Sequence, residues 1–254
     1  MGRHPRLEEV VEVADNPEPR CPCVLLLDTS GSMQGERLAA LTGGLHTLRT
    51  ALASDPLAAS RVELALITFD TRVRVVQPFV SPDQFVPPSL MASGNTHMAE
   101  GIERALTLVS ARTLLYRRQG LPYYRPWIFM ITDGKPEGEP EAAVAHAAAR
   151  LRSHERAKRV ALFAVGVADA DLTALRRIVV REPLPLRSLA FDELFVWLSA
   201  SMQAVSRSQP GEKVELPPKG WLGHIADFVR ENKELIENAT AIGRVVIKAT
   251  LGAV

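Results

Sequence analysis

Small oxygen-bearing side chains follow an apolar run near the start of the chain. Residues 24–27 lead directly into the sequence DTSGSM, which places Asp28, Ser30 and Ser32 at every second position. Carboxylate and hydroxyl oxygens are the ligands that hard divalent cations prefer. This spacing suits a tight loop, in which Gly31 lets the backbone turn sharply. The spacing therefore indicates part of a metal site, although Asp and Ser at such a position also cap helices.

Two further groups of oxygen-bearing residues stand later in the chain. A second apolar run, 127–132, ends directly before Asp133, and the loop sequence SGNT, which ends at Thr96, lies between the two runs. If all three loops meet at one edge of a sheet, they supply two carboxylates and three hydroxyls. We therefore predict a site for a divalent cation, Mg²⁺ in the first place with Mn²⁺ or Ca²⁺ as alternatives. The predicted ligands are Asp28, Ser30, Ser32, Thr96 and Asp133.

Other chemistries that use similar residues lack their required partners. The chain has no phosphate-binding GxxxxGK[ST] run, no GxSxG nucleophile motif around Ser32, and no HExxH zinc motif among its six histidines. An aspartyl phosphotransferase of the haloacid dehalogenase type would need a second acid two residues after Asp28, where Ser30 stands. The nearest acids after Asp133 are Glu137 and Glu139, and we expect both in a solvated loop. These residues favour a metal site without an added acid or base, and a Mg²⁺-dependent phosphatase remains the less favoured alternative.

Strands and helices alternate along the chain that must position these residues. Continuous apolar runs from Cys21, Trp127 and Val160 indicate strands that are buried on both faces, and amphipathic helical patterns follow them. Residues 61–80 contain two strands around a turn, the second of which alternates like an antiparallel edge strand. The pattern predicts an α/β fold: a doubly wound, mostly parallel sheet with one antiparallel edge strand. Ligands of such folds bind at the carboxyl ends of the strands.

Charge and hydropathy limit the partners and the compartment. The 30 basic and 29 acidic residues give a net charge of +1, so no nucleic acid or membrane surface is indicated as a partner. The N-terminus lacks the apolar core of a signal peptide, and no run approaches the roughly 18 apolar residues of a membrane helix. We therefore expect a cytoplasmic protein. Cys21 and Cys23 are expected to be buried thiols, one on each face of the strand, or else a strained redox pair.

The chain divides by composition into four segments. Residues 1–20 form a charged N-terminal segment, 21–209 the α/β domain, 210–220 a proline-rich linker, and 221–254 a tail with helical periodicity. The tail could fold back on the domain as a helical hairpin, bind a partner or a second copy, or insert into a membrane. Membrane insertion is the least favoured of the three, because Arg244 and Lys248 interrupt an apolar segment that is too short to cross a bilayer.

The motifs DTSGSM, SGNT and ITDG resemble the metal-ion-dependent adhesion site (MIDAS) of von Willebrand factor A (VWA) domains, in the order in which that family carries them. More narrowly, the flanks DNPEPRCPC and LFVWLSASMQAVSRSQPGEKVELPP resemble the bacterial TerY-like group, which is associated with tellurite resistance and chemical stress. The resemblance covers roughly residues 15–221 and implies the Rossmann-like VWA fold.

The resemblance also implies how such a site would work, namely in a binding module and not in an enzyme. Asp28, Ser30 and Ser32 would bind the cation directly or through water, Thr96 would be the ligand from the middle loop, and Asp133 would approach directly or through a water. One coordination position would face solvent and accept an acidic residue of a protein partner, which the family context suggests is a kinase, phosphatase or ATPase of the same system. The alternative is an effector or assembly subunit that acts through the C-terminal helical tail.

Overall fold

The computed structural model describes residues 16–186 and 189–217, and the structural statements below concern those residues. Most of the predicted N-terminal segment and the whole of the predicted helical tail, 221–254, lie outside the described residues. Among the described helices, none combines the length and the apolar character that crossing a bilayer requires.

The described part of the chain forms six strands and six α-helices. The strands are β1 (Cys21–Asp28), β2 (Val62–Phe69), β3 (Val73–Val80), β4 (Trp127–Thr132), β5 (Ala161–Val167) and β6 (Leu184–Leu186). The helices are α1 (Glu36–Ala53), α2 (Pro56–Arg61), α3 (Met98–Arg118), α4 (Glu141–Arg156), α5 (Leu172–Ile178) and α6 (Phe191–Ser206). A short 3₁₀ turn, Gly31–Met33, separates β1 from α1.

The six strands form one sheet in the order β3-β2-β1-β4-β5-β6. All neighbouring pairs are parallel except β2 and β3, which are antiparallel and place β3 at one edge. The predicted mostly parallel sheet with one antiparallel edge strand is therefore confirmed. Strands β2 and β3 lie on one side of β1, whereas β4, β5 and β6 lie on the other side. The winding therefore reverses between β1 and β4.

Two short elements are additional to the sequence prediction. Helix α2 begins at Pro56, where a helix end was expected, because the Asp55 side chain accepts hydrogen bonds from the N–H groups of Leu57 and Ala58. Strand β6 is only three residues long and contains a proline, which is tolerated at the edge of a sheet. Both elements are too short for a periodic pattern to reveal them.

Helices cover both faces of the sheet, as predicted. On one face, α1 and α6 pack against inward-facing residues of β1, β2, β4 and β5, and on the other face α3, α4 and α5 do so. In β1, Leu25 and Leu27 belong to the first layer while Val24 and Leu26 belong to the second. Strand β1 is therefore buried on both sides, which explains its continuous apolar sequence.

The two cysteines lie on the same face of β1. Cys21 and Cys23 both belong to the layer under α1 and α6, so the expectation of opposite faces was wrong: residues two apart in a strand point the same way. Both are free thiols. Burial, with a smaller contribution from the negative charge of Glu63, raises the pKa of Cys21 to about 12. Burial also raises the pKa of Cys23, so neither thiol is reactive at neutral pH.

The chain remains packed against the domain after α6 ends. Val214 and Leu216 are partly buried against the layer formed by α1 and α6. The indole Nε1–H of Trp197 donates a hydrogen bond to the carbonyl of Pro217 at 3.0 Å. The described part of the segment predicted as a linker, 210–217, therefore follows the surface of α6.

Two neighbouring glycines of α1 provide a test of how closely α1 and α6 pack. A Cβ on the buried Gly44 would lie 2.7 Å from Cε2 of Phe195, whereas a Cβ on the exposed Gly43 would have no neighbour within 4 Å. We expect Gly44→Ala to lower the free energy of unfolding by about 1–3 kcal/mol through overpacking. Gly43→Ala should raise it by about 0.5–1 kcal/mol, since alanine favours the helix. Urea unfolding measures both, and equal effects would contradict this description of the contact.

Candidate metal centre

Three loops meet at the carboxyl edge of the sheet, beside the point between β1 and β4 where the winding reverses. They follow β1, precede α3 and follow β4. Three backbone hydrogen bonds join them: Gly31 N–H to Gly94 O at 3.0 Å, Ser93 N–H to Thr29 O at 2.9 Å, and Glu137 N–H to Thr96 O at 3.0 Å. The predicted convergence of the three motifs is therefore present in the fold.

Ser30, Ser32 and Asp133 form a continuous row of oxygens. The two serine Oγ atoms lie 3.1 Å apart, and Ser32 Oγ donates to Asp133 Oδ1 at 2.8 Å. An octahedral Mg²⁺ site with bonds of about 2.0–2.1 Å has neighbouring ligand oxygens about 2.8–3.0 Å apart. The row has the spacing of two edges of that octahedron. Ordinary hydrogen bonds have the same lengths, so the geometry fits a cation without requiring one.

Asp28 is fully buried at the end of β1 and is held by two hydrogen bonds. Its Oδ1 accepts the N–H of Ser30 at 2.8 Å, and its Oδ2 accepts the hydroxyl of Thr132 at 2.5 Å. Burial raises the pKa of Asp28 to about 6, although these hydrogen bonds oppose the rise, and the charge of Asp133 adds to it. The carboxyl group is therefore mostly ionised at pH 7 but at a cost that a nearby cation would offset.

Thr96 lies in the same region but is not shown to contact the other predicted ligands. Its side chain is buried, and its Oγ1 would be 3.6 Å from a Cβ placed on Gly134, the residue that follows Asp133. The structure thus brings three of the five predicted residues into direct contact, links Asp28 to them through the amide of Ser30, and places Thr96 beside the β4 loop.

The five predicted ligands comprise three neutral hydroxyl groups and only two carboxylates. Within the described ranges there is no group of three or more His, Cys, Asp or Glu side chains that could hold a metal ion. A cation at this position would depend on the two carboxylates of Asp28 and Asp133 together with neutral hydroxyls. Hard oxygen ligands of this kind suit Mg²⁺, which commonly uses one or two carboxylates and keeps several waters.

Two residues that touch the site were not identified from the sequence. The guanidinium of Arg37, in the first turn of α1, donates from Nη1 to Asp133 Oδ2 and from Nη2 to Asp169 Oδ1, the latter at 2.8 Å. Asp169 follows β5 at the same carboxyl edge, so an acid after a buried strand was a usable signal. Arg37 gave no such signal, because an arginine near a helix start has no distinctive spacing.

Asp70 fixes the neighbouring β2–β3 turn to the site loops. Its Oδ2 accepts from the hydroxyl of Thr29 at 3.2 Å, its Oδ1 accepts the N–H of Arg72 at 2.8 Å, and its carbonyl accepts the N–H of His97 at 3.0 Å. This buried carboxylate therefore supports the loop that carries Ser30 and Ser32 and the loop that carries Thr96, without being one of the predicted ligands itself.

The buried Asp28 carboxylate gives a pH-dependent prediction for the metal-free protein. Because its folded-state pKa of about 6 exceeds the ordinary 3.8, the folded state keeps a proton that the unfolded state has lost, and stability falls as pH rises through this window. The difference corresponds to about 3 kcal/mol at neutral pH. In EDTA, we expect Asp28→Asn to be more stable than wild type at pH 7.5 and nearly equal to it at pH 4, measured by urea unfolding.

Asp83→Asn, which alters an exposed aspartate, serves as the control and should change stability by no more than about 0.5 kcal/mol at either pH. A stability difference between Asp28→Asn and wild type that is independent of pH would refute the assignment.

Comparison with known proteins agrees with this fold. No curated protein matches the chain. Among solved structures it is similar to the open conformation of the pilus adhesin SpaC from Lactobacillus rhamnosus GG, with 14% identity, a TM-score of 0.57, and coverage of 75% of this chain and 31% of that one. It is also similar to the vWF domain of the pili tip protein Mfa5 from Porphyromonas gingivalis, with 11% identity, a TM-score of 0.54, and coverage of 75% and 95%.

A third similar structure is the proximal thread matrix protein 1 of the mussel byssus, with 16% identity, a TM-score of 0.51, and coverage of 74% of this chain and 49% of that one. The chain thus spans about half the length of that protein, and at these identities the likeness shows the fold alone. The sequence profile of the von Willebrand factor type A domain matches residues 23–190, which is more than half of the chain. Together with the sheet order and the three converging loops, this match shows that the chain belongs to the von Willebrand factor A domain family.

Proposed function

We propose that this VWA domain binds a partner protein through a divalent cation, with Mg²⁺ as the first choice and Mn²⁺ or Ca²⁺ as alternatives. The observation that carries the proposal is the row of oxygens of Ser30, Ser32 and Asp133, whose spacing fits neighbouring ligands of one octahedral ion. Asp28 and Thr96 complete the proposed ligand set, directly or through water. When bound, the cation would supply a centre of positive charge at the carboxyl edge of the sheet.

The charge balance of the ligands supports an acidic partner. Two carboxylates match the charge of a divalent ion, and the hydroxyl ligands add none. An incoming carboxylate can then replace a coordinated water and gain an interaction that offsets its own desolvation. Ser32 is exposed whereas Asp28 is buried, so the side of the site that carries Ser32 is the accessible one. Two of the similar structures are described as a pilus adhesin and a pili tip protein, which agrees with a binding role.

The two acids that follow Asp133 most closely in the sequence do not supply the acid or base that the phosphatase alternative requires beside Asp28. Glu139, expected in a solvated loop, instead accepts the N–H groups of Ala99 and Glu100, each at 2.8 Å, and so caps the start of α3. A carboxylate with both oxygens engaged by amides is poorly placed to transfer protons. Glu137 is exposed. The prediction that the protein is not an enzyme therefore remains the favoured one.

The finer assignment is also a proposal. The flanking segments that resemble the TerY-like group suggest a cytoplasmic role in bacterial stress or tellurite resistance, with a kinase, phosphatase or ATPase of the same system as partner. The alternative, an effector or assembly subunit that acts through the helical tail 221–254, concerns residues outside the described part of the chain.

The metal proposal predicts the outcome of a calorimetric titration with Mg²⁺, followed by Mn²⁺ and Ca²⁺. Wild type should bind one ion. Asp28→Ala should lose at least about 100-fold in affinity because it removes one of the two carboxylates, and Ser32→Ala should lose about tenfold or more. Because Asp28 is buried, circular dichroism must confirm that the first variant is folded. Ser32 is exposed, so its variant tests the site without that complication.

Asp83→Ala is the matched control, since it removes an exposed carboxylate from the loop after β3 and should leave the metal affinity unchanged. If wild type binds none of the three ions, or if all variants bind equally, the proposed site is wrong.

The carboxylate preference is measurable with Mn²⁺ as a paramagnetic probe. A Glu-rich peptide should replace a water on the bound ion and lower the water-proton relaxation enhancement, whereas a Gln-rich peptide of the same length should not. Mn²⁺-loaded Ser32→Ala should show a weaker response at equal protein concentration. Equal responses to both peptides would argue against an acidic ligand for the cation.

A further inference from the structure

Arg37 occupies a position that helix stability alone does not favour. It is the second residue of the 18-residue helix α1, where the backbone dipole repels positive charge. Its side chain is 29% exposed and bridges two carboxylates, that of Asp133 and that of Asp169. These two contacts, rather than the helix, account for its placement.

In the metal-free protein, Arg37 and Ser32 occupy both carboxylate oxygens of Asp133, one of the proposed metal ligands. The Asp133 side chain has no exposed surface; its Oδ1 accepts from Ser32 and its Oδ2 accepts from Arg37. Asp169, in contrast, is 84% exposed and holds the outer end of the guanidinium. Arg37 therefore covers Asp133 from the solvent side and supplies a positive charge to the carboxylate that a divalent cation would use.

A cation that binds Ser32 and Asp133 must share this carboxylate with Arg37. The two positive charges repel each other across one carboxyl group, and the guanidinium withdraws electron density from the oxygens that the ion needs. Asp133 does not need Arg37 for its orientation, since burial and the Ser32 hydroxyl already fix its Oδ1. The competitive effect of Arg37 should therefore exceed any orienting effect.

We propose that Arg37 is a built-in counter-cation of the metal site: it neutralises Asp133 in the metal-free protein and sets a threshold concentration that a divalent cation must exceed to bind. This inference rests on the proposed function, because it concerns the regulation of the same site. Arg37 acts on the site through its ion pair with Asp133 and is not itself a metal ligand. Metal-free protein is stabilised by the ion pair, and metal-loaded protein is stabilised by the ion instead.

The test compares Arg37→Ala with Arg74→Ala in the full chain. Arg74 pairs with Asp70 at the same edge of the sheet, so its loss also removes an arginine–aspartate pair, but one that involves no proposed ligand. Calorimetry with Mg²⁺ should show an affinity roughly tenfold higher for Arg37→Ala than for wild type, which corresponds to about 1.4 kcal/mol. Arg74→Ala should stay within about twofold of wild type.

Thermal unfolding adds a readout that a merely structural arginine would not produce. In EDTA, Arg37→Ala should unfold at a lower temperature than wild type, because the Asp133 carboxylate loses its positively charged partner. In saturating Mg²⁺ the difference should disappear. Arg74→Ala should show the same shift, relative to wild type, in both conditions.

The outcomes separate the two proposals. Equal or weaker Mg²⁺ binding by Arg37→Ala, while Asp28→Ala still abolishes binding, would overturn the role of Arg37 and leave the metal site standing. Absence of binding of Mg²⁺, Mn²⁺ and Ca²⁺ by both proteins would overturn both proposals.

Discussion

The burial of the Asp28 carboxylate at the end of β1, beside the end of β4, is the constraint on which the site depends. Two neighbouring groups hold it, the amide of Ser30 and the hydroxyl of Thr132, and they belong to the loop after β1 and to the end of β4. Both loops are thereby fixed relative to one carboxylate. An ionised group without solvent contact opposes folding, as its raised pKa shows, so the apolar layers must offset its cost. Buried ionisable groups with a shifted pKa, such as Asp28, are characteristic of functional sites.

The two apolar layers set the position of the charged residues as well as the stability of the fold. Helix α1 begins at the site and packs against α6 so closely that Gly44 contacts the ring of Phe195. Because buried leucines fix α1 along its length, the first turn of the helix, which carries Arg37, lies beside Asp133. The packing of α1 against α6 therefore also sets where Arg37 lies relative to Asp133.

Much of the fold followed from the sequence because the central strands are buried on both faces. Their continuous apolar runs, and the alternation in β3, are patterns that backbone geometry dictates. The convergence of the loops followed from the rule that ligands meet at the carboxyl edge. The long-range contacts of Arg37 and Glu139 could not be predicted, because each depends on which residues from distant segments become neighbours. Strand geometry places Cys21 and Cys23 on the same face of β1, so the prediction of opposite faces was an avoidable error.

The position of these two cysteines has a practical consequence. They are the two cysteines of the sequence, both are buried beneath α1 and α6, and burial keeps both in the unreactive thiol form. A cysteine introduced on the surface would therefore react with maleimide or iodoacetamide reagents against a silent background. The natural chain can carry a single fluorophore or spin label beside its sheet edge without first being made cysteine-free.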